Sequence, residues 1–482
     1  MHRERMSGVD RAWLRMDSPR NPMVIVGVFS FAEPLAFGQL SRLFAQRLLR
    51  FERFRQRVEE DLAGHWWVDD GSFRLPNHLK RVRLRDPDER ALRDYLDQLV
   101  ERPLDFSHPL WEMHFIERPG ALPALAFRIH HCIADGVALV RVMLTLSADA
   151  SPPRRRRAKG AAADESAWQG YLDAAAQAAR SSLWFGSEVW AETMRTLDEP
   201  GHALDLAQAG TRVVADAVAI LAMTSDTQTS LKGEPRGVKA FAWNDPLPLD
   251  ELKPVCRALG ASVNDVVLSC VTGALRRYLL QRGDALAPDA EFRAMVPVNL
   301  RSAEDEPSLG NRFGLAPLVL PIGIESPIER VYEIRARMRE LRGGFQPALA
   351  FLLLAVLGPL PAGLQTVVLE YLAGKASAVM TNLPGPPTPV RLAGARIARM
   401  LFWVPQSGDI GVGIAILSYA GAVQFSIRVD TALCPDPQAI VDGFAPEFER
   451  LVLTLAMLPN GLLAGEPPAQ DEIESMLGLE WA

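Results

Sequence analysis

The chain contains Phe127-Arg128-Ile129-His130-His131-Cys132-Ile133-Ala134-Asp135-Gly136, two adjacent histidines followed after three spacers by Asp-Gly. Histidine is the side chain whose unperturbed pKa suits proton transfer near neutral pH, and only eight occur in 482 residues, so this cluster is the first candidate for acid-base chemistry. A strand ending at His130-His131 and a helix opening near Asp135-Gly136 would set one imidazole at the lip of a cleft. Side chains alternate across a strand, so the two rings point to opposite sides and only one can be the base. Asp135 has two readings: a carboxylate that orients the imidazole, or a cap and ion pair that fixes the start of the helix. Gly136 permits close backbone approach or a tight entry into that helix. There is no Gly-x-Ser-x-Gly elbow and no His-Glu-x-x-His, and all eight histidines fall at or before position 202. A lone base activating a bound hydroxyl therefore fits better than a covalent Ser-His mechanism or a zinc site.

The elements that must hold this motif alternate. Met23 to Phe31 reads as a strand, Leu40 to Val58 as a helix, Lys80 to Leu84 as a strand and Asp88 to Glu101 as a helix. Met113 to Glu117 and Leu125 to Ile129 read as paired strands around a turn with Pro119, Gly120 and Pro123, and Val137 to Leu146 as a helix. Such alternation predicts an α/β layer. From Ser147 to Gly160 the composition shifts to Pro, Arg and Ala, which predicts a connector, and Ala163 to Met223 reads as helical. A second αβ set begins near Val238. It contains a helix over Val263 to Leu280, a strand over Arg293 to Val298, a helix over Ile328 to Leu341 and a strand over Ser377 to Leu383, ended by the rigid turn Pro384-Gly385-Pro386-Pro387. Ile410 to Ser418 and Ala422 to Val429 read as a hairpin.

A chain of 482 residues with 48% apolar and 23% charged residues is globular and long enough for two domains. A net charge of -6 argues against a general nucleic-acid binder. The run Arg154 to Arg157 reads as a solvated linker or as a contact with anionic lipid. Cys132, Cys256, Cys270 and Cys434 are widely spaced without a Cys-x-x-Cys and read as reduced thiols. The N-terminus has no apolar export segment, so a cytoplasmic location is expected. Ala348 to Leu360, the most apolar stretch, is broken by Gly358-Pro359 and too short to span a bilayer; it reads as a buried helix, or as a lipid-facing or channel-lining surface, as Val367 to Leu372 could also be.

The motif His130 to Gly136 resembles that of the CoA-dependent acyltransferase superfamily, which includes chloramphenicol acetyltransferase and peptide-synthetase condensation domains. Over nearly its full length the chain is similar to the bacterial wax ester synthase/diacylglycerol acyltransferase family. The matching segments, in the family's order, begin with Asp10-Arg11-Ala12-Trp13 with Asn21-Pro22-Met23, Phe54-Arg55-Gln56-Arg57-Val58, and Pro103-Leu104-Asp105 with Pro109-Leu110-Trp111-Glu112. They continue with Asn264-Asp265-Val266-Val267-Leu268, Val296-Pro297-Val298-Asn299-Leu300-Arg301, Gly310-Asn311-Arg312-Phe313-Gly314 and Thr381-Asn382-Leu383-Pro384-Gly385-Pro386. Thr381 stands where the family often has serine and keeps the hydroxyl.

The resemblance implies an α/β fold of two similar chloramphenicol-acetyltransferase-like halves, residues 1–147 and 226–482, joined by a linker and helical connector, 148–225, with an active-site tunnel at their interface. It implies that His131 takes the proton of an acceptor hydroxyl, which attacks the thioester of acyl-CoA. His130, Asp135, Gly136 and Asn264 would support it, with Arg55 or Arg57 as the arginine partner of Asp135. Asn264 is alternatively an ordinary helix cap. The implied substrates are a long-chain acyl-CoA, as co-substrate and not cofactor, and diacylglycerol or a fatty alcohol, giving triacylglycerol or wax esters. No metal and no other cofactor are implied, and the site of action would be peripheral, at the inner membrane or lipid inclusions. Two other readings are a transferase using a carrier-bound thioester and a different acceptor, and a non-catalytic lipid-granule scaffold.

Overall fold

The structure is a computed structural model that describes residues 3–62, 64–147, 224–299, 313–343, 371 and 374–457. In chain order the first half runs β1 (Arg3–Arg5), α1 (Gly8–Met16), β2 (Val24–Phe31), α2 (Phe37–Gln46), β3 (Gln56–Asp61), β4 (Gly64–Asp69), α3 (Leu75–His78), β5 (Leu79–Arg83), α4 (Glu89–Val100), β6 (Trp111–Glu117), β7 (Ala124–His130) and α5 (Gly136–Ser147). The second runs β8 (Lys239–Trp243), β9 (Leu247–Pro248), α6 (Leu249–Ala258), α7 (Val263–Gln281), β10 (Phe292–Asn299), β11 (Phe313–Leu320) and α8 (Pro327–Gly343). It continues with β12 (Ala378–Pro384), β13 (Arg391–Leu392), β14 (Ala395–Trp403), β15 (Val412–Tyr419), β16 (Ala422–Asp430), α9 (Pro437–Asp442) and α10 (Phe444–Met457).

Two mixed sheets carry the molecule. One has the order β13-β14-β2-β7-β6-β5, the other β11-β10-β12-β15-β16-β8 with β9 paired to β16, and a small third sheet has the order β1-β4-β3. Each large sheet has its own apolar core, the first filled by Leu40 and Phe44 of α2, Leu92, Leu96 and Leu99 of α4 and Leu139 of α5, the second by α6, α7, α8 and α10. Every residue of β7 is buried. Both of its faces are covered, which is why the sequence there is apolar without alternation apart from Arg128, which is paired with Glu112 at 2.6 Å, and the terminal His130. Among the described residues no single helix is long and apolar enough to cross a membrane.

The structure departs from the sequence expectations in two places. The helix expected over Leu40 to Val58 stops at Gln46; two single 3₁₀ turns follow, and Gln56 to Asp61 form β3 against β4. Phe54 is the reason for the break, because its carbonyl accepts the indole N–H of Trp111 at 3.0 Å and its ring packs edge-on against the same indole. Cross-strand pairing then outweighs the modest helix propensity of Gln-Arg-Val-Glu-Glu. The second departure concerns the halves themselves. β14, inside the segment 226–482, pairs antiparallel with β2, Trp403 opposite Val26, and so completes the first sheet. Without it the buried, apolar β2 would be an open edge. The expected connector helices over 163–223, the run Arg154 to Arg157 and the apolar stretches 348–360 and 367–370 lie outside the described residues.

The halves are also latched at β8, the edge of the second sheet. Asp97 of α4 accepts the Phe241 N–H at 2.9 Å, and Arg93 lies over the Trp243 ring at 4.7 Å. Burial, aided by Asp94 and Glu101, pushes the Asp97 carboxyl up to about 7 against the pull of the Phe241 N–H. A carboxyl whose folded pKa is raised binds protons more tightly in the native state, so its contribution to stability is present at low pH and is lost as pH rises towards 7. Asp97→Asn, which keeps the acceptor and removes the charge, is expected to raise the thermal unfolding midpoint at pH 8 and leave it unchanged near pH 4; an unchanged midpoint at pH 8 would show that the charge carries no penalty.

Candidate active site

The histidine pair sits where β7 ends. His130 lies opposite Val24 in the β2 ladder, its N–H donates to the Leu110 carbonyl at 2.9 Å, and the His131 N–H donates to the Met23 carbonyl at 2.7 Å. The next turn folds back, so that the Cys132 N–H donates to Nδ1 of His130 at 3.1 Å. With Nδ1 accepting, the neutral ring carries its proton on Nε2, which faces Asp17 Oδ1 at 3.5 Å. The Phe106 ring closes another side, edge-on. His130 is 1% exposed and walled in, which is the geometry of a support.

His131 is turned to a different neighbour. Its ring stacks on the indole of Trp13 with centroids 4.5 Å apart and planes 21° apart. Trp13 is buried with Val9 and Ala12 on the inner face of α1, so the helix that fixes the indole also fixes the imidazole plane. The indole face favours a positive ring lying over it. That favours the protonated form a base reaches in mid-reaction.

Asp135 caps α5: its Oδ1 accepts the Ala138 N–H at 2.8 Å and its carbonyl the Leu139 N–H at 3.0 Å. Of its two sequence readings, the helix-starting one has this geometry. The structure does not bring the expected arginines to it. Arg57 pairs with Glu59 two residues on along β3, and Arg55 is exposed at the entrance to that strand, its carbonyl accepting the Asp70 N–H. Neither reaches Asp135 among the described residues, because the chain there runs into β3 of the small sheet and not along a helix towards the motif. A Cβ placed on Gly136 would stand 3.4 Å from Leu383 Cδ1, so the Asp-Gly end of the motif lies directly against β12 of the second half.

Asn264 is the second residue of α7 and not its cap. Ser262 Oγ accepts the Asp265 N–H at 3.2 Å while Asp265 accepts the Ser262 N–H at 2.8 Å, a reciprocal capping box. The Asn264 side chain is left half-buried, and its Oδ1 accepts from Nδ2 of Asn382 on β12. With that oxygen engaged, the Asn264 amide N–H groups are the ones available to donate. Trp13, Asp17 and Asn382 are the residues that sequence reasoning left without a role. Trp13 and Asn382 stood inside segments that match the family, and the only signal for them was membership of those segments.

Two further histidines belong to the core. His78 is stacked between Phe73 and Trp111 with Nδ1 on the Trp111 carbonyl, and His114 is bonded to Tyr95. Burial pushes both down towards the neutral ring. No group of three or more His, Cys, Asp or Glu side chains that could hold a metal occurs among the described residues.

An entirely apolar cleft begins one turn along α5 from the motif. Its walls include Val140 and Met143 of α5, Phe29 of β2, Pro386, Met400 of β14 and Leu417 of β15, and its empty space, open mouth included, is about 390 Å³. The cleft thus draws on both halves.

Residues 6–267 match the model of the wax ester synthase/diacylglycerol acyltransferase catalytic domain, and residues 309–452 that of the WS/DGAT C-terminal domain. Curated relatives include a Mycobacterium tuberculosis protein named as a diacylglycerol O-acyltransferase, 28% identical over 467 residues, covering 93% of this chain and 95% of that one. Another M. tuberculosis protein so named is 26% identical over 480 residues, covering 95% and 92%. Among solved structures the fold is similar to the wax ester synthase/diacylglycerol acyltransferase of Marinobacter aquaeolei, with a TM-score of 0.65 at 21% identity over 94% of this chain and 99% of that one. It is also similar to a trichothecene 15-O-acetyltransferase of Fusarium sporotrichioides, with a TM-score of 0.61 at 14% identity over 93% and 95%.

Proposed function

Because the chain belongs to the wax ester synthase/diacylglycerol acyltransferase family, and is an acyltransferase of that family, we propose that it transfers a long acyl chain from CoA to the hydroxyl of diacylglycerol or a fatty alcohol, with His131 as general base. The observation that carries this reading is a buried imidazole, held flat on Trp13, at one end of α5, with an apolar cleft opening one turn along the same helix. His131 takes the acceptor O–H proton as the oxygen attacks the thioester carbonyl. The C–S bond then breaks, and the imidazolium returns the proton to the sulfur, releasing CoA thiol and an ester. Each proton and electron pair is accounted for without a redox group, so acyl-CoA is a co-substrate and no cofactor is called for. The Asn264 amide, held by Asn382, is suited to donate to the oxygen that becomes negative in the tetrahedral state, where a single donor is worth about 10²- to 10³-fold. Products this apolar leave water, and we read the reaction as taking place at a lipid surface, the cytoplasmic side of the inner membrane or a lipid inclusion.

The test is CoA release from palmitoyl-CoA with diacylglycerol and hexadecanol offered together, and identification of the esters formed. Triacylglycerol, wax ester or both are expected. Release with neither acceptor overturns the reading, and faster turnover of a carrier-protein thioester than of palmitoyl-CoA overturns the donor.

A further inference from the structure

The backbone under His131 belongs to the loop from Asp17 to Val24, and that loop is gripped by both halves. From its own half, Asp17 Oδ1 accepts the Met23 N–H at 2.6 Å, and the Met23 carbonyl accepts the His131 N–H at 2.7 Å. From the second half, the Gly408 and Ile410 carbonyls take Asn21 Nδ2 at 2.6 and 3.3 Å, and Lys239 Nζ donates to Asn21 Oδ1 at 2.6 Å. Arg428 of β16 then donates from Nη1 to the Val24 carbonyl at 3.1 Å, and Val24 is the ladder partner of His130.

Arg428 is 0% exposed. A guanidinium taken fully out of water is costly, and apolar residues of similar volume usually pack such a place at no loss of stability. The position therefore calls for an explanation other than stability. Among the described residues, the side-chain charge that opposes the burial of Arg428 is Asp17, the carboxylate that holds Met23 and faces His130. The cation, the loop and both histidines thus form one connected group.

We propose that Arg428, together with Asn21, is a positioning residue for His131: from the second half they hold the Asp17–Val24 loop and so set the backbone from which the imidazole projects onto Trp13. The proposal rests on the reading of His131 as the base. It explains why Asn21-Pro22-Met23, which carries no reactive group, lies beside the motif. It also means that the base is in register only when the second half is docked, so that acyl transfer is tied to closure of the interface through which the cleft runs.

The experiment compares the full-length protein with Arg428→Met, Arg428→Lys, Asn21→Ala and His131→Ala in steady-state assays with palmitoyl-CoA and diacylglycerol, alongside thermal unfolding. Misplacement of a catalytic group by about 1 Å costs on the order of 10²-fold, so Arg428→Met is expected to lower kcat by roughly 10- to 100-fold. KM for palmitoyl-CoA should stay within about twofold, because an interaction absent from substrate binding leaves it alone. Arg428→Lys, which keeps a cationic donor for the Val24 carbonyl, should recover most of kcat. Asn21→Ala, which disturbs no arginine, should show the same kcat-only loss. Wild-type kcat in both Arg428→Met and Asn21→Ala overturns the proposal, as does activity that falls only in proportion to folded protein with no recovery by lysine. If Arg428→Met does not fold, Asn21→Ala and Arg428→Lys decide on the same criterion. Full turnover by His131→Ala overturns the base reading instead, a different outcome from a dead His131→Ala beside a fully active Arg428→Met.

Discussion

His131→Ala is expected to lower kcat by about 10²- to 10⁴-fold, the range that a positioned general base contributes, with KM for palmitoyl-CoA little changed. Alanine leaves the backbone N–H that donates to Met23 in place, so β7 and the loop under it should hold, and the unfolding midpoint should move far less than the rate. The pH profile adds a second signature. Wild-type kcat/KM should rise with pH as a single group loses its proton, and that limb should disappear from the residual activity of the variant. A rate within a fewfold of wild type would remove His131 from the chemistry. A scaffold that merely kept the fold would show neither effect.

How far the site was legible depended on whether its geometry was local. The strand, turn and helix around His130 to Gly136 follow from a largely apolar run, a break and a capped restart, all within one window, and the structure has β7, the turn and α5 there. The capping box at Ser262-Val263-Asn264-Asp265 was equally local. It follows the Ser-x-x-acid pattern, and reading it first would have freed Asn264 from the capping role. What was not legible is pairing at long range. Nothing in Ala395 to Trp403 marks it as a strand of the first sheet, because its partner β2 is at the other end of the chain and the pairing is decided by which apolar edge needs cover. The stack of Trp13 on His131 and the reach of Arg428 to Val24 have the same character. Arg55 and Arg57 were named as partners of Asp135 only because the family resemblance implies an arginine there; the anchor at Phe54 starts β3 at Gln56, and Arg57 pairs with Glu59 within it.

Val140→Trp is expected to shift the preference for acyl chain length towards short chains. Val140 stands on α5 one turn beyond Gly136 and forms part of the wall of the cleft, with Met143 a turn further on. All the walls are apolar, so selectivity there arises from methylenes removed from water and not from any polar contact. Each buried methylene is worth about 0.8 kcal/mol, and an indole adds about seven heavy atoms over an isopropyl group, enough to exclude at least about four methylenes of a bound tail. Their loss is worth about 3 kcal/mol, or roughly 200-fold in kcat/KM for a long chain relative to one short enough to stop before the obstruction. Palmitoyl-CoA should therefore lose about two orders of magnitude against wild type while a four- to six-carbon acyl-CoA is nearly unaffected. Equal losses for both would mean that the substitution disturbed α5 itself, and with it the Asp135 cap and the base. Equal retention would mean that the tail lies elsewhere. The two measurements, rate against chain length in Val140→Trp and rate against pH in His131→Ala, act at separate points, one turn into α5 and in the turn before it, so the first locates the substrate by physical size alone and does not depend on which residue moves the proton.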